Sequence, residues 1–87
     1  MRFEYDPAKS AANLVKHGID FAAAQTLWDD PGMIEAPART TDEPRFVSVG
    51  RIGGRHWTAV WTLRDEVVRI ISVRRARKEE IGYYEGR

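Results

Sequence analysis

The chain changes the period of its polar and apolar positions several times, and each change marks an element. Met1 to Tyr5 alternates, with Phe3 and Tyr5 on one side, which predicts a short strand. Asp6-Pro7 then opens a helix: the Asp6 carboxylate caps free backbone N–H groups and Pro7 suits the first helical position. Ala8, Ala11, Ala12 and Val15 recur at helical spacing as an apolar stripe flanked by Leu14. Gly18 stops this helix by taking the left-handed conformation. Asp20 caps a second helix whose buried face carries Phe21, Ala24 and Trp28, and Asp29-Asp30-Pro31-Gly32 ends it. Met33 to Ala36 reads as an edge strand, and Ala38 to Pro44 as a polar, mobile loop.

The remaining half reads as strands. Arg45 to Ile52 is followed by Gly53-Gly54, a two-residue hairpin signal. Arg55 to Leu63 alternates, with Trp57, Ala59, Trp61 and Leu63 on one face. A turn at Arg64-Asp65-Glu66 leads into Val67 to Val73, a run rich in β-branched residues. Strict alternation there puts Arg69, Ile71, Val73 and Arg75 on one face and Val68, Ile70, Ser72 and Arg74 on the other. Lys78 to Glu85 closes the chain as a short helix. No repeat or linker interrupts the order, so residues 1–87 are expected to form one α+β domain. The expected sheet is a three- or four-stranded antiparallel meander through Val47, Ala59 and Ile71. The first two helices cover one face, with Trp57, Trp61 and Leu63 beneath them.

Composition narrows the chemistry. A chain of 87 residues, 43% hydrophobic and 31% charged, suits a small folded domain with modest stability. It has no cysteine, which excludes disulfides and thiolate metal sites, and His17 and His56 lie too far apart for a zinc signature. No apolar run is long enough for a membrane span, so a cytoplasmic location is expected. The net charge is only +1, but it is unevenly distributed. Met1 to Pro44 holds four basic and eight acidic residues, whereas Arg45 to Arg87 holds ten basic and five acidic. A basic second half suits phosphate, and equally suits arginines scattered over solvated strands.

Three groups can carry chemistry. Lys16-His17 at a helix C-terminus either compensates the helix dipole or supplies a phosphate ligand and a proton-transfer group. Glu43 and Arg45 point to the same side of an extended segment, as a surface ion pair or as a base beside a phosphate clamp. Arg64, Arg69, Arg74, Arg75 and Arg77 crowd one turn, one strand and its exit. Arginine forks onto phosphate oxygens and stays charged, so such a group builds a phosphate-binding surface unless each member serves a structural pair. His56 is expected to be a plain surface residue. No Gly-rich phosphate loop, Ser-His-Asp set or metal-ligand spacing is present.

Phe3-Glu4-Tyr5-Asp6-Pro7-Ala8-Lys9, Asn13, Lys16-His17-Gly18-Ile19 and Phe21 resemble the opening of the BrnT family. Glu43, Arg45, Gly50, the run Arg69-Ile70-Ile71-Ser72-Val73-Arg74-Arg75-Ala76 and Glu80 to Tyr84 resemble its second half. Two departures are packing changes: Tyr5 where tryptophan is usual, and Val73 where alanine is frequent. The resemblance implies a RelE-like fold and the toxin of a type II toxin–antitoxin pair. That toxin is a ribonuclease that cleaves RNA without a metal or other cofactor and so inhibits translation. It also implies a BrnA-like antitoxin with a ribbon–helix–helix part, through which alone operator DNA is bound. On this basis Lys16, His17, Glu43, Arg64, Arg69 and Arg74 are the catalytic candidates. His17 is the preferred proton carrier, and Glu43 is either a base or the partner of Arg45. Arg45, Arg75 and Arg77 are the RNA-binding candidates. The alternative is a non-catalytic module that binds RNA or protein through the same arginines.

Overall fold

The computed structural model describes residues 1–39 and 42–86. Strand β1 (Arg2–Glu4) leads into helix α1 (Pro7–His17) and the short helix α2 (Phe21–Ala24), which continues as a 3₁₀ turn over Gln25–Asp29. Strands β2 (Ile34–Ala38), β3 (Arg45–Ile52), β4 (Arg55–Arg64) and β5 (Val67–Arg75) follow, then helix α3 (Lys78–Glu85). Both predicted caps are present. Asp6 accepts from the Ala8 and Lys9 N–H groups, and Asp20 from that of Ala23. Gly18 has φ +81°, the left-handed end that glycine adopts without steric cost. Among the described residues no helix is long and apolar enough to cross a membrane.

Among the described residues the sheet has five strands in the order β1-β5-β4-β3-β2. The meander β3-β4-β5 is antiparallel as expected, β2 adds antiparallel to β3, and β1 adds parallel to β5. The sheet is therefore mixed and wider than the meander alone. The expected mobile loop begins one residue later than drawn, because Ala38 still pairs with Arg45. Its Thr40 and Thr41 lie outside the described residues.

The core lies between one sheet face and the segment Ile19–Asp29. Ile19, Phe21, Ala24 and Leu27 pack on Trp57, Ala59, Trp61, Val68, Ile70 and Val73. Trp57 and Trp61 are buried as expected, but Leu63, at the strand end, is half exposed at 50%. Helix α1 departs further from its pattern. Its buried residues are Ser10 and Asn13, while Leu14 is 49% and Val15 89% exposed, and Ala8, Ala11 and Ala12 are exposed too. The polar face turns inward because backbone groups satisfy it. Asn13 Nδ2 donates to Ile19 O (2.7 Å) and Val73 O (2.9 Å), and the Phe21 N–H donates to Ser10 Oγ (2.9 Å).

A bulge in β5 corrects the expected alternation. Val60 pairs with Ser72 and Trp61 with Ile70, so Ile71 is an extra residue opposite β4. Val68 and Ile70 therefore join Val73 and Arg75 on the helix-covered face, and Arg69 joins Ser72 and Arg74 on the other. Simple alternation would have separated Arg69 from Arg74.

Candidate functional site

The second sheet face carries the arginines. Register places Arg45, Val47, Val49 and Arg51 of β3 beside His56, Thr58, Val60, Thr62 and Arg64 of β4, and beside Arg69, Ser72 and Arg74 of β5. Helix α3 lies over the hairpin end of this face, where Glu80 meets Thr58 and Arg74.

At the other end Glu43 sits between two guanidinium groups. Its Oε1 is 4.0 Å from Arg45 Nε and its Oε2 3.8 Å from Arg64 Nη2. The Thr62 hydroxyl donates to the Pro44 carbonyl, which ties this segment to β4. Arg69, the register partner of Thr62, stands 3.8 Å from Glu4 on β1. These contacts are long and solvated, so each is worth at most about 1 kcal/mol. Arg45, Arg64 and Arg69 are consequently held in place yet retain donors for an anion. The elements supply the placement: a turn end, a strand start and a bulged strand converge on one open face.

Arg74 is engaged differently. Its Nη1 and Nη2 donate to Glu80 Oε1 and Oε2 at 2.8 and 3.0 Å, a bidentate pair with side chains 28% and 18% exposed. Glu80 also accepts from the Arg77 N–H (2.7 Å) and the Thr58 hydroxyl (3.0 Å). The Arg74 hydrogen bonds, helped by the Arg77 N–H and Thr58 and opposed by burial, hold the Glu80 carboxyl down at about 2. The same pairing raises Arg74. Glu80 was not among the sequence candidates, although a glutamate three residues after a helix start is the spacing that reaches back to the first N–H. A lowered carboxyl pKa contributes stability that is complete above the unfolded value near 4.5 and disappears as pH falls toward 2. Glu80→Gln should therefore lower stability at pH 7 by about 1–2 kcal/mol, a figure discounted for solvent access. The gap from the parent should close between pH 5 and pH 2 in parallel thermal melts. A gap that stayed constant with pH would rule out the charged pair as its origin.

The other candidates lie elsewhere. Arg75 points to the helix-covered side, with its guanidinium 5.5 Å from the Trp57 ring. Arg77 is exposed at the start of α3. Lys16 and His17 end α1, which packs through Asn13 and Ser10 on the layer opposite Arg64 and Arg69. Among the described residues, no hydrogen bond or ion pair joins either of them to Arg45, Arg64 or Arg69. His56 is no plain surface residue: its side chain is 15% exposed, Nε2 lies 2.6 Å from Glu85 Oε2, and its ring meets Tyr84 edge-on. Among the described residues no group of three or more His, Cys, Asp or Glu side chains is placed to hold a metal.

An open sheet face that carries Arg45 and Arg64 beside Glu43, and Arg69 beside Glu4, defines a small α+β domain with an arginine-bearing surface. The chain matches the family described as "Ribonuclease toxin, BrnT, of type II toxin-antitoxin system" over residues 5–80, and it belongs to that family. It is thus a toxin of a type II toxin–antitoxin system, a class defined by an antitoxin partner. No curated protein matches the chain.

Proposed function

We propose that this toxin is a metal-independent endoribonuclease of RelE-like architecture, with Arg45, Arg64 and Arg69 as the phosphate clamp and Glu43 as the base. The observation that supports this reading is that the three arginines share one sheet face, with Glu43 beside Arg45 and Arg64 and with Arg69 on the neighbouring strand beside Glu4. Cleavage of RNA needs a base for the 2′-hydroxyl and preorganised positive charge for the phosphorane. In this reading Glu43 accepts the 2′-hydroxyl proton while the 2′-oxygen bonds to phosphorus. The P–O5′ bond breaks, and the leaving 5′-oxygen takes a proton from solvent. Arg74 serves as a positioning residue through Glu80, and Lys16 and His17 stabilise the end of α1. A BrnA-like antitoxin, with its ribbon–helix–helix part on operator DNA, would silence the toxin in the cytoplasm by setting carboxylates against the clamp.

The test is cleavage of RNA by the purified chain, freed of antitoxin, in excess chelator. The expected products carry 2′,3′-cyclic phosphate and 5′-hydroxyl ends, and a 2′-deoxy substitution at the cleaved nucleotide should abolish the reaction. Cleavage that survives that substitution, or no cleavage with and without ribosomes, would overturn the reading.

A further inference from the structure

On the same face as the clamp, an apolar groove of about 450 Å³ runs between α3 and the β2–β3 edge of the sheet. Ile34, Ala36, Val47 and Val49 form its floor, and Tyr83 stands at its wall. Tyr83 is 73% exposed, an unusual position for a large aromatic residue that closes no core. Two acidic residues border the groove without making it anionic. Glu80 is neutralised by the Arg74 fork, and Glu35 pairs in register with Ser48, so its side chain turns to the opposite face. Alternation along β3 brackets the apolar floor with cations: Arg45, Val47, Val49 and Arg51 share this face.

We infer that this groove is a base-binding subsite, in which a nucleobase of single-stranded RNA stacks on Tyr83 over Val47 and Val49 while its neighbouring phosphate lies on Arg45. The inference rests on the ribonuclease reading and adds a recognition element to it. Cations that follow the backbone together with an aromatic platform for the bases form the usual pattern of single-strand binding. Val47 follows Arg45 by one full strand repeat, roughly 7 Å, comparable with the reach from a phosphate to an adjacent base. An acidic or purely apolar protein segment would leave Arg45 and Arg51 or Tyr83 without a matching group. An RNA strand matches both. Nothing in the groove reads hydrogen-bond patterns through charged side chains, so the subsite selects for an unpaired base more than for its identity.

The experiment measures binding of a short single-stranded RNA, made uncleavable by 2′-deoxy substitution, to the parent, Tyr83→Ala and Tyr83→Phe proteins. An abasic nucleotide is then moved through the RNA one position at a time. Tyr83→Ala should weaken binding roughly 5- to 100-fold, the range for losing one base–aromatic stack, with an unchanged melting temperature. Tyr83→Phe should retain parental affinity. At one position the abasic substitution should weaken binding to the parent and leave Tyr83→Ala unaffected, because both changes remove the same contact. Parental affinity in Tyr83→Ala, or additive losses at every position, overturns the subsite while leaving the ribonuclease reading intact. Loss of antitoxin binding by Tyr83→Ala with RNA affinity unchanged assigns the groove to the protein partner and also overturns it. A parent chain that binds no RNA defeats the ribonuclease reading and the subsite with it.

Discussion

Replacing Arg64 and Arg69 together by alanine is expected to reduce RNA cleavage by roughly 10³-fold or more, since removing one preorganised donor from a transition state costs about 10²–10³. Both side chains lie on the open sheet face, and their present partners Glu43 and Glu4 stand at 3.8 Å in each case. Losing such loose pairs barely touches the fold, so the melting temperature should stay within a few degrees. Arg64→Lys separates charge from geometry. It keeps a cation but gives up the planar fork, and should recover only part of the loss. Most of the effect should appear in kcat, because the phosphorane carries more negative charge than the ground-state diester. Arg75→Ala is the matched control: it removes a guanidinium of the same chain that faces Trp57 on the other layer. Single-turnover cleavage by the double variant within tenfold of the parent would remove both arginines from the clamp.

Local signals in the sequence were reliable wherever the cause was local. Asp6, Asp20 and Gly18 act on groups within a few residues of themselves, and each does what its type and position imply. The Gly53-Gly54 hairpin and the alternation of Trp57, Ala59 and Trp61 likewise follow from near neighbours. The failures all depend on distant partners. Nothing near Ile71 signals that β5 carries an extra residue opposite Val60 and Trp61, yet this bulge decides which arginines share a face. The pairing of Arg74 with Glu80 was not legible, because Glu80 arrives only once α3 has folded back over Thr58. His56 looked exposed because Tyr84 and Glu85 come from the far end of the chain. Of the candidate site, the Glu43–Arg45 pair and the arginines of the second half were legible from residue type. Their grouping was not, and neither was the orientation of α1, which turns Ser10 and Asn13 toward the sheet.

That orientation yields the largest stability effect expected outside the aromatic core. Strand β1 pairs with β5 over Arg2–Glu4, opposite Val67–Arg69, so among the described residues the outer edge of β5 beyond Arg69 has no strand beside it. Asn13 takes that place. Its Oδ1 accepts from the Val73 N–H (3.2 Å) and its Nδ2 donates to the Val73 carbonyl (2.9 Å), while a second Nδ2 bond reaches Ile19 O. A single carboxamide thus continues the sheet edge and ties it to the chain entering α2. Asn13 is 7% exposed, so water has little access to these groups once the side chain is gone. Asn13→Ala leaves one N–H and two carbonyls without partners, a cost of about 2–4 kcal/mol. In a domain of this size that corresponds to a fall in melting temperature of roughly 10–30 °C. Asn13→Asp keeps the shape but turns an acceptor oxygen toward two carbonyls, and should be at least as damaging at pH 7. Ala12→Ser, on the exposed face of the same helix, should change the melting temperature by only a few degrees. A loss below about 1 kcal/mol in both Asn13 variants would mean that the edge of β5 does not depend on this side chain, and that α1 is held to the sheet by other contacts.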